Sequence, residues 1–70
     1  MGYKPGRCLI TDILHKKRKN QQWLSEESGI AKSLISEYAR NKRLMTIGTA
    51  KTIATALNCH IDDLYDFFQD

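Results

Sequence analysis

The chain has no apolar run approaching twenty residues, so it offers no stretch able to cross a bilayer as a helix. Its start, MGYKPGR, lacks the apolar core of a signal peptide and the Ser or Thr that a myristoylation motif requires. Only two cysteines occur, Cys8 and Cys59, and neither has a CxxC partner. They are expected inside amphipathic helices, as buried or half-buried thiols in a reducing cytosol that need no disulfide. His15 and His60 have no second ligand at metal spacing, so a solvated side chain and a cap-position residue are expected, with no metal and no cofactor. No nucleophile–base pair is visible, and seventy residues leave little room for a catalytic cleft, so an enzyme is not expected. No repeat or low-complexity tract interrupts the chain. A core this small must be stabilised by close helix packing or by association.

Lys and Arg are missing from the last nineteen residues. All eleven bases lie in residues 1–51 against four acids, a net of +7; residues 52–70 carry four acids and no base, a net of −4. A solvated surface ordinarily mixes its signs. Segregation on this scale points to one end meeting a polyanion while the other faces away or meets a partner. Hydrophobic content of 41% argues against disorder.

The most informative stretch is NQQWLSEESGIAKSLISEYARNKR, residues 20–43, where each residue type sits at a meaningful offset. Asn20 can cap a helix by accepting from the free N–H groups of its first turn, and Leu24 points inward. Ser25 is small where two steeply crossing helices touch. Gly29 falls where a helix ends in the left-handed conformation that penalises a Cβ, and Ile30 plugs the turn. Ile35 and Tyr38, with Leu34 beside them, give the next helix an apolar face, leaving Ser33, Ser36, Glu37 and Arg40 on the other side.

Periodicity along the whole chain predicts an all-α fold of five helices. Helix 1 covers about 7–17 behind an N-terminal arm at 1–6, helix 2 about 20–28 and helix 3 about 31–40. Helix 4 covers about 47–57, with Ile47, Ala50, Ile53, Ala54 and Leu57 on one stripe and Asn58 as a left-handed stop. Helix 5 begins after His60, with Asp62 and Asp63 in its first turn and Ile61, Leu64, Tyr65 and Phe68 packing.

The run Gln21, Leu24, Gly29, Ile30, Ile35 with the trailing Asn41-Lys42-Arg43 resembles the Cro/C1-repressor-type (XRE-like) helix-turn-helix proteins of phages and bacteria. IGTAKTIATALNCHIDDLYDF is similar to the last two helices of that family, so the likeness covers roughly residues 9–68. It implies a compact lambda-repressor-like domain over 7–70, with the helix-turn-helix at helices 2 and 3. Three residues depart from the family pattern: Ser25 for the usual Ala, Ala31 for a capping Ser or Thr, and Lys19 for an apolar residue. The lost cap costs about 1 kcal/mol. Trp23, at a position often polar, is either a cover for helix 1 or an exposed contact.

The function this implies is sequence-specific binding of double-stranded DNA by a transcriptional regulator, a repressor acting as a homodimer. It is expected in the bacterial cytoplasm, on the nucleoid when bound. Residues near the start and on the outer face of helix 3 would read bases: Lys32 donating to guanine, Glu37 accepting from the cytosine amine, Ser33 and Ser36 serving either role. Glu37 has a competing use, an ion pair with Arg40 at i+3. By resemblance Gln21 would bond a backbone phosphate, while Arg40, Lys42 and Arg43 flank the groove and would clamp phosphates. Only part of the 15–18 HKKR cluster is expected near the backbone. Four apolar side chains close to the terminus exceed what one small core buries, so helix 5, through Leu64, Phe67 and Phe68, is the expected dimer surface. No room remains for an effector-sensing domain, so control is expected to come from concentration, competition for the site or a regulatory protein partner. The alternative reading is a protein-interaction module, such as an antitoxin or adaptor, that binds its partner through helix 5.

Overall fold

The computed structural model describes residues 2–69, and its elements run β1 (Tyr3–Cys8), α1 (Ile10–Lys17), α2 (Gln21–Ser28), α3 (Lys32–Ala39), α4 (Ile47–Leu57), a 3-10 turn (Ile61–Asp63) and β2 (Tyr65–Gln69). The protein is therefore mostly helical, with four helices and a two-stranded sheet; the five-helix, all-α expectation is corrected at both ends. The core gathers between one and four residues from nearly every element: Cys8 of β1, Ile10 and Leu14 of α1, Leu24 of α2, Ile35 and Tyr38 of α3, Ala50, Ile53, Ala54 and Leu57 of α4, then Leu64 and Tyr65.

Most helix boundaries have a local cause. Asn20 Oδ1 accepts from the Trp23 N–H at 2.9 Å and starts α2. Gly29 ends it at φ 75°, its N–H donating to the Ser25 carbonyl at 2.9 Å. Thr46 caps α4, its side chain accepting from the Thr49 N–H, and Asn58 closes the helix at φ 56°, the stop that the sequence predicts. α3 begins at Ala31 without any side-chain cap. It ends in a Schellman motif, in which Asn41 takes φ 61°, its N–H returns to the Tyr38 carbonyl at 3.1 Å and the Lys42 N–H to the Glu37 carbonyl at 2.9 Å.

The C-terminal segment was expected as helix 5. Only one 3-10 turn forms, where Asp63 accepts from the His60 N–H at 3.0 Å, and the chain then extends into β2. Aromatic residues at 65, 67 and 68 suit a strand, and a helix of so few residues has little stability of its own. Antiparallel pairing with β1 supplies what the helix could not, with Tyr3 opposite Gln69, Lys4 opposite Phe68, Pro5 opposite Phe67 and Cys8 opposite Tyr65. Two residues of β1 face one of β2 between Pro5 and Cys8, a bulge. Gly6 belongs in that bulge because a Cβ there would collide with the Phe68 ring and the Asp66 carbonyl oxygen. α1 consequently starts at Ile10 and not near residue 7, and neither cysteine lies in a helix. Cys8 ends β1, buried, and Cys59 follows the α4 stop, half-buried; both are free thiols whose pKa burial pushes up.

Two hydrogen bonds tie this sheet to the loop between α3 and α4. Asn41 Oδ1 accepts from the Cys8 N–H at 2.8 Å, and the Tyr65 hydroxyl accepts from the Met45 N–H at 3.2 Å. Asn41→Gly keeps the left-handed backbone but leaves the Cys8 N–H without its acceptor, whereas Asn41→Ala loses both. Thermal melts should therefore show Asn41→Ala less stable than Asn41→Gly and both below wild type, by about 1–3 kcal/mol for the orphaned donor alone; wild-type melting of Asn41→Ala would contradict this role. Ala31→Ser restores a cap to α3. It should add about 1 kcal/mol, raising Tm by about 4–8 °C in a domain of this size, and an unchanged or lower Tm would show that α3 does not need one.

Candidate nucleic-acid interface

α2, the Gly29 turn and α3 form one unit whose backbone is closed by serines. Ser25 Oγ donates to the Ile30 carbonyl at 2.7 Å; Ser28 Oγ donates to the Leu24 carbonyl at 2.7 Å and accepts from the Ile30 N–H at 3.2 Å. Ser25, which departs from the family's usual Ala, thus remains small enough for the crossing and adds a bond across the turn. Ile30 is half-buried against the core. A second departure, Lys19, also has a visible contact. Lys19 Nζ stands 5.3 Å from the centroid of the Trp23 ring, whose remaining surface packs on the core, so Trp23 is a cover held under a cation.

α3 is two turns long, and its burial splits cleanly. Ile35 and Tyr38 are buried, while Leu34 and Ala39 are half-buried beside them. At about 100° per residue, Lys32, Ser36, Arg40, Ser33 and Glu37 share the remaining arc of about 140°. Lys32, Ser33 and Arg40 are exposed, Ser36 and Glu37 half-buried. Gln21 is half-buried as the first residue of α2, and Lys42 and Arg43 are exposed just beyond α3. Lys32, Ser33, Ser36, Glu37 and Arg40 therefore share one face of α3, Lys42 and Arg43 follow its C-terminal end, and Gln21 belongs to α2. Lys16 and Lys17 occupy the last turn of α1, where the helix dipole suits cations, and Arg18 ends that helix at φ 56°.

One pairing differs from expectation. Glu37 does not bond Arg40; its Oε1 accepts from Arg43 Nε at 2.8 Å, and that bond pushes the Arg43 pKa up. The expected dimer residues also separate. Leu64 is 0% exposed in the monomer core and has no surface to offer a second copy, whereas Phe67 and Phe68 are 40% and 57% exposed. Ile47, expected on the inward stripe of its helix, is instead 76% exposed at the first position of α4. With Leu44, Met45 and Phe67 it lines a shallow apolar groove of about 270 Å³.

Sequence reasoning missed the anchoring role of Asn41 and the partner of Glu37. Asn is the residue other than Gly that most readily takes a left-handed backbone, so Asn41 just past the apolar run was the available signal. The 37–43 pair had none, because it depends on a chain reversal.

Among the described residues no helix is long and apolar enough to cross a membrane. The family model for the Cro/C1-type HTH DNA-binding domain matches residues 10–70. The chain is 46% identical over 63 residues, 89% of its own length and 85% of the relative's, to YopS, an SPbeta prophage-derived HTH-type transcriptional regulator of Bacillus subtilis (strain 168). It is 34% identical over 64 residues, 90% of its length and 80% of the relative's, to YotL, another SPbeta prophage-derived HTH-type transcriptional regulator of the same strain. With its turn geometry, the split face of α3 and a family match over most of its length, the chain belongs to the Cro/C1-type helix-turn-helix DNA-binding family.

Proposed function

We propose that this DNA-binding regulator reads duplex DNA with α3 in the major groove, as a homodimer, and represses by occupying its operator in the bacterial cytoplasm. The observation that carries the reading is the division of α3 into a buried Ile35–Tyr38 side and a polar side beginning at its N-terminal turn. A helix buried on one side presents the other to the groove, where its first turns reach base edges. Lys32 donates to guanine O6 and N7, and Ser33 and Ser36 bond either donors or acceptors. Lys32 stands where the α3 dipole disfavours a cation, and no acid shares that first turn; external use explains its presence. Gln21 and the exposed Arg40 and Lys42 meet phosphates and set docking register. Occupying a promoter is sufficient for repression, and the activity is binding and not catalysis.

A single unit reads only a few base pairs, so specificity calls for two copies on half-sites about 34 Å apart. The second copy covers the groove at Leu44, Ile47 and Phe67, which places three exposed apolar side chains from two separate segments around one depression. Leu64 is no longer part of this interface, and the helix that would have served an adaptor or antitoxin is a strand.

Binding to random duplex and to the DNA upstream of the protein's own gene should weaken steeply with salt, by about 0.9 in log K per log salt for each phosphate neutralised, with a clear preference for one sequence. Lys32→Ala should reduce that preference by about 1–3 kcal/mol. Absence of binding at low salt, or an unchanged preference in Lys32→Ala, would sink the assignment. Phe67→Ser should shift sedimentation from dimer to monomer; a dimer as stable as wild type removes Phe67 from the interface.

A further inference from the structure

The bond between Arg43 and Glu37 spans six residues and cannot arise from helix periodicity, which brings together i, i+3 and i+4. It exists because the chain reverses at Asn41. The left-handed Asn41 sends the Lys42 N–H back to the carbonyl of Glu37 itself, so residue 43 emerges alongside the Glu37 side chain. The reversal is anchored from outside by the Cys8 N–H on Asn41 Oδ1. Arg43 is thus delivered to Glu37 by the backbone, not by a chance meeting of two long side chains.

A carboxylate on the face of α3 that meets DNA is repelled by phosphates unless something neutralises it. Arg43 does so with a single donor, Nε, on a single acceptor, Oε1. Glu37 Oε2 has no partner among the described residues, and the Nη groups of Arg43 remain available as donors. One exposed pair of this kind adds little to stability, so its significance lies in orientation. Resting on the reading of α3 as the base-facing helix, we propose that Arg43 is a positioning residue for sequence preference: it holds Glu37 neutralised and aimed so that Oε2 accepts from an exocyclic base amine, that of cytosine first, while its own Nη groups face phosphate. Arg43 is then more than a sequence-blind clamp. Substituting it changes which sequences bind and not only how tightly.

Binding-site selection from random duplexes, followed by affinities for the selected site and for versions with each base pair replaced, tests this on wild type, Glu37→Gln, Arg43→Ala, Arg43→Lys and the Glu37→Gln/Arg43→Ala double variant. Arg43→Ala should lower the preference at one base pair about tenfold while leaving other positions as they were. Glu37→Gln should change the preference at that same base pair, and adding Arg43→Ala to it should change the preference no further. Arg43→Lys, which keeps the charge without the fork, should retain more affinity than Arg43→Ala but not the full preference. Equal weakening on every duplex by Arg43→Ala, with the preference intact, overturns the positioning role and leaves α3 as the reading helix. A wild-type protein without any sequence preference overturns both.

Discussion

Burial of Ile35 and Tyr38 is the constraint from which the rest follows. An eight-residue helix is too short to persist in water by its own hydrogen bonds, and α3 lacks even a side-chain cap at its start. What holds it is apolar contact on one side, with Leu24 of α2 and the α4 stripe completing the core. Such contact fixes rotation about the helix axis as well as position. Once Ile35 and Tyr38 are inside, Lys32, Ser33 and Arg40 have only solvent to face, and no further interaction is needed to point them there.

The angle at which α3 leaves α2 is set separately, by the Gly29 turn and the two serine hydroxyls that satisfy its backbone. The far end of α3 is set by the sheet. β1 and β2 close on each other across the chain termini, and through Cys8 and Tyr65 they hold the loop that follows α3 at both of its ends. A sheet at the edge of the fold thus governs where Lys42 and Arg43 stand. This gives a small protein without a large core a way to order a loop that carries charge.

The two helices and the turn of residues 20–40, and the stop of α4, were readable because their structure is local. Asn20, Gly29 and Asn58 act through the backbone geometry of their own turn, and the period of Leu34, Ile35 and Tyr38 is a property of one helix. The C-terminus was misread because Ile61, Leu64, Tyr65 and Phe68 fit a helical period, while the deciding partner, β1, lies some sixty residues away and presents a proline and a glycine that do not announce a strand. Ile47 fits its stripe by number yet stands at the first position of α4, beyond the reach of the core. Glu37 could be assigned a neighbour at i+3 from sequence; its actual partner required knowing that the chain turns back at Asn41. Charge segregation pointed to a polyanion, but the face proposed to meet it stood out only when one side of α3 was seen to be closed.

The most direct test of the central claim is a backbone amide titration by NMR, adding the preferred duplex to labelled protein at moderate salt. If α3 presents its polar side to DNA, the largest shifts fall on Lys32, Ser33, Ser36 and Glu37, with Gln21 at the start of α2 following. Shifts concentrated on β2 and the 3-10 turn, with the α3 amides unmoved, would contradict it.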